Sequence, residues 1–467
     1  MAGVDVVVVG AGMGGLVAAV AAAEDGANVL LLEKAPEPGG SLALSGGYVW
    51  TFPTLAEYMR CVPLGDPVLG GALVEDFEAA LDWLSEHGGR LGPRIHGLGP
   101  DRAGAGRRLE PDPATGAVEP LLARLSGAGG ELRCRSRVVG LERDRDGTVV
   151  AVRLRQRGIV EAVPAGAVVL ATGGFQGDLE MMCRHVSPWA DRAMLRASPH
   201  CTGDGLRLAL ASGAATSRGL SAVYAHVMAR LPGALDLGSF RVMSQFYVEA
   251  CVLLNLRGER FVDEGRAEAV CGLSLLREPE AAGMIVFDEA LHRTRVMDAY
   301  VPDATRSDPV ARIREAGGDV IEAADLDALC QAMAGYGLPR AAARETLAAV
   351  AAAAERRDGG MLPVPRSGEI PALLEPPYFA VPVRVGVTFT EGGIRADLEG
   401  RALDRDGEPV PGLFVAGVDV GGISNVGYAG GLSAGLVNGL RAGIHAARRA
   451  ADHASPRVLV PAPIPSS

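Results

Sequence analysis

The sequence predicts an α/β fold: a parallel sheet assembled from both ends of the chain, with a separate α+β domain inserted between them. Three observations predict it. Near the N-terminus the apolar run Val4–Val9 leads directly into Gly10-Ala11-Gly12-Met13-Gly14-Gly15, then an Ala/Val-rich stretch, then Val29–Leu32 and Glu33. Near the C-terminus a second apolar run, Gly412-Leu413-Phe414-Val415-Ala416-Gly417, is followed by the glycine-rich segment Gly427–Gly435. Between about Leu220 and Pro382 the pattern changes to mixed strands and an Ala/Arg/Glu-rich helical stretch at Asp325–Arg357.

The first element explains itself. Gly10 allows a tight turn after the strand, Gly12 lets the backbone approach a pyrophosphate, and Gly15 lets the helix pack against the sheet. The helix N-terminus presents unpaired N–H groups to the phosphates. Glu33 ends the second strand about 20 residues on, where a carboxylate accepts from ribose hydroxyls. This is a Rossmann-like dinucleotide site. A nicotinamide domain of that kind is finished in one stretch, whereas FAD sites are often closed by a distant return of the chain, so Gly412–Gly417 resembles the closing segment of a glutathione-reductase-type FAD-binding domain.

Further along, Leu122–Leu125 reads as helix, and Arg133–Val139 and Val149–Arg155 as strands around an Asp-Gly turn. Ala167–Ala171 is a buried strand ending in Thr172-Gly173-Gly174-Phe175. Gly203–Gly213 reads as a helix capped by Asp204. The expected division is 1–221 for the first part of the FAD-binding domain, 222–383 for the inserted domain and 384–454 for the C-terminal part. Residues 455–467, rich in Pro and Ser, form a mobile tail.

Composition bounds the remainder. The 467 residues suffice for two or three domains, and 48% hydrophobic content is that of a globular protein. No apolar run reaches the ~18–20 residues of a membrane helix. The strand beginning at Val4 leaves no room for a signal peptide. Seven cysteines scattered singly, without metal or disulfide spacing, fit a reducing cytoplasm and predict no metal. A net charge of −11 argues against nucleic acid. Lys34 is the only lysine among 45 basic residues.

Six motifs in order resemble the FAD-dependent fumarate reductase/succinate dehydrogenase flavoprotein superfamily, which includes 3-ketosteroid dehydrogenases. They are Gly10–Gly15, Gly39-Gly40-Ser41 with Ser45-Gly46-Gly47, Ala171-Thr172-Gly173-Gly174, Thr202-Gly203-Asp204-Gly205, Arg260-Phe261-Val262-Asp263-Glu264, and Pro411–Gly417. Gly386-Val387-Thr388-Phe389-Thr390 and Val426–Gly431 look most similar to a tricarballylate dehydrogenase-like subgroup. The resemblance implies a capping domain over the flavin and hydride transfer between a substrate carbon and flavin N5. It implies cofactor contacts at Gly10, Ala11, Gly12, Met13, Gly14, Gly15, Glu33, Lys34, Gly39, Gly40, Ser41, Ser45, Gly46, Gly47, Val138, Ala171, Thr172, Gly173, Asp204, Gly417, Asp419, Gly431, Ser433 and Leu436. The helix opened by Gly430–Gly435 can stabilise negative charge on reduced flavin. Gly39–Gly47 lacks the histidine that carries covalent flavin in some relatives, so non-covalent FAD is expected.

The departures narrow the chemistry. Fumarate reductases have an arginine where this chain has Tyr428, a histidine at Phe389 and a proton-donating arginine at Glu268. The usual glutamate after Ala416-Gly417 is Val418, with Asp419 next. Candidate substrate residues are His226, Tyr428, Arg266 and Arg384. His226 matches a capping-domain histidine, against the alternative of a satisfied interface histidine. Tyr428 matches a carbonyl-polarising tyrosine of ketosteroid dehydrogenases, against simple packing on the flavin. Arg266 lies two residues before the proton-donor position and would reach the site only with a different loop, whereas Arg384 could hold a substrate carboxylate or lie solvated at the surface. Arg257, Arg260 and His200 read as structural.

The leading expectation is a dehydrogenase that forms a C=C bond beside a carbonyl or carboxylate of a small molecule. The alternatives are an ene-reductase running the reverse reaction and a non-catalytic flavin-binding redox protein. The electron acceptor is left open.

Overall fold

The structure, a computed structural model, describes residues 4–232, 243–298 and 307–452. The expected tail, 455–467, lies outside the described residues. Strand β1 (Val4–Val9), helix α1 (Met13–Glu24) and strand β2 (Val29–Leu32) form the opening unit. The two strands pair in parallel from Val6↔Val29 to Val9↔Leu32. β2 is buried throughout, and β1 from Val6 onward, which is why both read as unbroken apolar runs.

Strand β3 (Glu131–Arg133) pairs with β2, and β4 (Ile159–Leu170) pairs with β1 on its other side. Helix α2 (Asp204–Ala211) follows, then β5 (Val223–Ala229), β6 (Tyr378–Thr390), β7 (Pro409–Val415) and helix α3 (Gly431–Asp452). The first sheet runs Arg401–Leu403, β7, β4, β1, β2, β3. β7 lies parallel to β4 with Leu413↔Val168. The C-terminal return therefore enters the N-terminal sheet, and Gly10, Glu33, Ala171 and Gly417 gather at the carboxyl ends of the parallel strands, where ligands bind in such sheets.

Two local expectations change. The strand expected over Arg133–Val139 is divided, because Arg135 adopts a left-handed φ of 54°. The chain leaves the parallel sheet there and starts an antiparallel hairpin, Arg137–Arg143 with Val149–Gln156. Asp204 does not cap α2. Gly203, at φ 74°, occupies the cap position without a side-chain bond, and the Asp204 carboxylate turns to Lys34 and Arg137 instead.

The two ends of the chain are joined most tightly by α1 against α3. On α3, Gly435, Gly439 and Gly443 recur every fourth residue and so share a face. A Cβ at Gly439 would stand 2.7 Å from Gly14 O, and one at Gly443 2.4 Å from Ala18 O. The helix backbones touch because those side chains are missing.

The second sheet is centred on β6. β5 and Ala282–Asp288 flank it antiparallel, Met194–Leu195 pairs in parallel, and Ile321–Ala323 and Val252–Asn255 complete it. The expected helical stretch is Leu326–Met333 and Arg340–Arg356. β6 runs continuously through the division expected at residue 383 and brings Thr390 beside the loop that follows β4, where its Oγ1 accepts from Phe175 N at 3.4 Å.

Candidate active site

An open cavity runs from the Gly10–Gly14 loop, Glu33 and Lys34 to Thr388, Phe389, Tyr428 and Gly431. Its glycines are present for different reasons. A Cβ at Gly10 would meet Ala171 O at 2.2 Å, one at Gly14 would meet Gly417 N at 2.4 Å, and one at Gly15 would meet Gly10 O at 1.8 Å. These three are demanded by the protein's own packing. Gly12 differs: its φ is −82°, and a Cβ there would meet nothing within 4 Å. Neither backbone nor packing requires glycine at 12; a side chain there would project into the open space of the cavity.

At one end, Glu33 is buried, with Oε2 accepting from Ala11 N at 2.8 Å and Oε1 from Ala35 N at 2.7 Å. It ties the glycine loop to the end of β2. A carboxylate has about four acceptor positions, so two remain for a ligand. Lys34 Nζ donates to Thr202 Oγ1 at 2.7 Å and Asp204 Oδ2 at 2.8 Å. Arg137 donates to both Asp204 oxygens, and these paired cations hold the Asp204 carboxyl below its usual range against the opposing effect of burial.

The other end is aromatic. Tyr224 of β5 stacks on Tyr428, and Trp50 and Phe389 pack around Tyr428. The Tyr428 hydroxyl accepts from Gly431 N at 2.9 Å, at the first residue of α3. Behind Tyr224, His226 is 1% exposed and packs edge-on to the Tyr224 ring. His226 Nδ1 is 2.9 Å from Glu268 Oε2, while Glu268 Oε1 accepts from Val227 N at 2.7 Å. His226 Nε2 is buried without a hydrogen-bond partner. Burial, with the nearby Arg196 charge, moves His226 well below the usual histidine value. Burial pushes Glu268 up to about 8.

A family model described as an FAD binding domain matches residues 5–433. The chain belongs to this family. It is 26% identical over 452 residues to the fumarate reductase (cytochrome) of Shewanella frigidimarina, covering 92% of this chain and 74% of that one. It is 28% identical over 449 residues to the urocanate reductase of Eggerthella lenta, covering 90% and 70%. Among solved structures it is similar to a 3-ketosteroid-Δ4-(5α)-dehydrogenase from Rhodococcus jostii in complex with 4-androstene-3,17-dione, with a TM-score of 0.73, 25% identity, and 95% and 96% coverage.

FAD is the cofactor, and the cavity fits it: an open glycine at the head of α1, a carboxylate with acceptor positions to spare at the end of β2, and a helix N-terminus at the far end. Of the expected FAD residues, Gly10, Gly12, Met13, Gly14, Glu33, Lys34, Gly40, Ser41, Ser45, Val138, Ala171, Thr172, Gly173, Asp204, Gly417 and Gly431 line it. Others stand behind the wall. Ala11 and Gly15 face the sheet, and Gly39, Gly46 and Gly47 shape the adjoining loop. Asp419 does not line the cavity: its buried carboxylate accepts from Thr172 N at 2.5 Å and Gly174 N at 3.2 Å, bracing that loop from beneath. Ser433 donates to Trp50 O at 2.5 Å, and Leu436 is core.

Of the expected substrate residues, only Tyr428 lines the cavity. His226 lies one ring behind it. Arg384 is four residues short of Thr388, about 13 Å along a strand, and donates to Glu280 O at 2.8 Å. Arg266 is exposed on the turn Glu264–Arg266. Neither arginine reaches the cavity. Arg260 is buried in an ion pair with Glu264, and Arg257 pairs with Glu259 and Glu278. His200, read as structural, lines the cavity together with Gln176, Ser198 and Cys201, which the sequence reading missed.

Proposed function

We propose that this protein is an FAD-dependent dehydrogenase that forms a C=C bond beside a carbonyl or carboxylate of a small molecule. The observation that carries the reading is the buried His226–Glu268 pair lying one ring from Tyr428. Bound FAD supplies the acceptor for the hydrogen that leaves with its electron pair. The chain's own residues handle the other hydrogen and the charge it leaves behind. Burial keeps His226 neutral, and its Nε2 carries the lone pair that takes a proton when Nδ1–H donates to an ionised Glu268. Glu268, in its ionised form, orients the ring and offsets the charge that forms on it. Tyr428, its oxygen held by Gly431 N–H, has its own proton free to donate to an oxygen that gains negative charge. The α3 N-terminus adds a positive dipole end at the same place.

The second reading is an ene-reductase, favoured by the names of the two curated relatives. A histidine poised neutral counts against it, because reduction needs a proton donor. Non-covalent FAD is part of the proposal, as Gly39–Gly47 supplies no histidine to the cavity wall. No described helix is long and apolar enough to cross a membrane, and a cytoplasmic location belongs to the same proposal.

The test is anaerobic mixing of the FAD-bound protein with saturated acids and ketones, each followed by His226→Ala. Bleaching of the flavin by a saturated compound, slowed by the variant while FAD stays bound, is the expected result. Reoxidation of pre-reduced flavin by unsaturated compounds alone would favour the ene-reductase.

A further inference from the structure

An acid is buried beneath the loop that carries Tyr428. Glu391 follows β6 directly and is 4% exposed. Its backbone is paired on both sides: Glu391 N donates to Ala222 O and its carbonyl accepts from Gly422 N, each at 2.9 Å. Its side chain has a single hydrogen-bond partner among the described residues, Oε2 accepting from Val426 N at 2.7 Å. Burial pushes the carboxyl up to about 8. One N–H compensates a buried acid poorly for its lost water, and an apolar side chain would suit the core better. The acid is explained by what it holds.

Val426 has a left-handed φ of 53°. For a β-branched residue this conformation is strained and persists only where the surroundings impose it. Both flanks of the loop are anchored: Tyr58 donates to Ile423 O at 2.6 Å, Asn425 Nδ2 to Leu64 O at 2.9 Å and Thr51 Oγ1 to Ala429 O at 3.1 Å. Between Asn425 and Ala429, the bond from Val426 to Glu391 is the one hydrogen bond, among the described residues, that ties the loop backbone to another part of the chain. Tyr428 stands two residues further on, its ring centroid 3.8 Å from that of Tyr224 and its hydroxyl on Gly431 N. The chain of β6 thus reaches the tyrosine twice, through Phe389 packed beside its ring and through Glu391 under its loop.

We infer that Glu391 is a positioning residue: by holding Val426 in its strained turn it sets where the ring and hydroxyl of Tyr428 stand in the cavity. This rests on the donor role proposed above for Tyr428. The protonated acid accepts through its carbonyl oxygen as the carboxylate does, so the hold persists on either side of pH 8. A side chain without an acceptor lets Val426 relax toward negative φ. The backbone then changes direction two residues before the tyrosine and moves its hydroxyl relative to a bound substrate. A misplacement of about 1 Å can cost about 10²-fold in rate.

The experiment uses the FAD-bound protein and two readouts, hydrogen exchange of a peptide spanning residues 422–431 and anaerobic flavin bleaching. The bleaching probes are succinate, cyclohexanecarboxylate and cyclohexanone, and the compound that bleaches wild type fastest is used at saturation. Glu391→Leu should speed exchange at Val426 and Gly431 by about tenfold or more. It should slow bleaching by about tenfold or more, with half-saturation little changed. Glu391→Gln keeps an acceptor oxygen and should recover most of both. Adding Val426→Gly to Glu391→Leu removes the strain and should recover part of the rate. In a Tyr428→Phe background Glu391→Leu should slow bleaching no further. Glu391→Asp withdraws the acceptor by one carbon at the same charge, and serves if Glu391→Leu does not fold. Exchange at the wild-type rate in Glu391→Leu and Glu391→Asp overturns the inference, as does a slowing that persists in full without the Tyr428 hydroxyl. Faster exchange in Glu391→Leu, with no bleaching of wild type by any probe, would remove the desaturation reading and leave the hold on the loop. Wild-type exchange in the variants, with bleaching that still depends on Tyr428, would do the reverse.

Discussion

Tyr224 lies flat on Tyr428, with ring centroids 3.8 Å apart and planes within 8°. One ring comes from β5 in the second sheet, the other from the loop that opens α3. The edge of Tyr224 also meets His226, with centroids 4.5 Å apart. Tyr224 therefore separates the proposed base from the proposed carbonyl donor. His226 and Tyr428 therefore do not face each other across open space.

Tyr428→Phe should keep FAD and slow substrate-dependent flavin bleaching at saturating substrate by ~10²–10³, since a hydrogen-bond donor to developing charge is lost. Tyr224→Phe keeps the stack and should stay near wild type. Stopped-flow bleaching separates the two variants, and equal rates in wild type and Tyr428→Phe would remove the donor role.

The bleaching rate should rise with pH through about 8, the value to which burial pushes Glu268. Below it Glu268 is protonated and donates to Nδ1, which places the imidazole proton on Nε2 and blocks proton uptake there. Above it the carboxylate accepts from Nδ1–H, and Nε2 carries the lone pair. Glu268→Gln should abolish this rise. A pH profile of bleaching in both proteins checks it, and an identical profile in the variant would contradict the assignment.

Gly12→Ala and Gly14→Ala should fail differently. The Cβ added at 12 meets no protein atom within 4 Å, whereas at 14 it meets Gly417 N at 2.4 Å. Gly12→Ala should fold with apoprotein stability near wild type and lose FAD affinity. Gly14→Ala should lose ~1–3 kcal/mol of stability through overpacking. Thermal melts of the apoproteins with FAD titrations distinguish them.

Glu33→Gln should weaken FAD by ~1–3 kcal/mol, because a charged acceptor is replaced by a neutral amide. Glu33 also receives Ala11 N–H and Ala35 N–H, so part of that loss should come through the glycine loop. Titration of the apoprotein measures it. Unchanged affinity would rule out a ribose contact.

The FAD end of the site was legible in the sequence because its demands are local. Glycines at 10, 12 and 15 and an acid at 33 sit at spacings fixed by one strand, one turn and one helix. The Gly435, Gly439, Gly443 face was also readable, as glycine at every fourth position, and went unread. The substrate end was not legible, because its contacts join residues far apart. Glu268 meets His226 across 42 positions and Arg196 meets Thr388 across 192. Arg196 was hidden further by composition: with lysine almost absent, arginine occupies nearly every basic surface position, and nothing local marks the buried ones, Arg196, Arg260 and Arg366. The role of Asp419 toward its neighbouring loop was not legible either, because its carboxylate meets Thr172 and Gly174 across some 245 positions.

The central claim, that this cavity removes hydrogen from a saturated substrate, is tested most directly by the visible absorbance of bound flavin. The FAD-bound protein is mixed without oxygen with the saturated acids and ketones named above. The account expects at least one of them to bleach the flavin, with its unsaturated counterpart recovered as product. Flavin that stays oxidised with every saturated compound, yet is reoxidised after chemical reduction by the unsaturated ones, would contradict it.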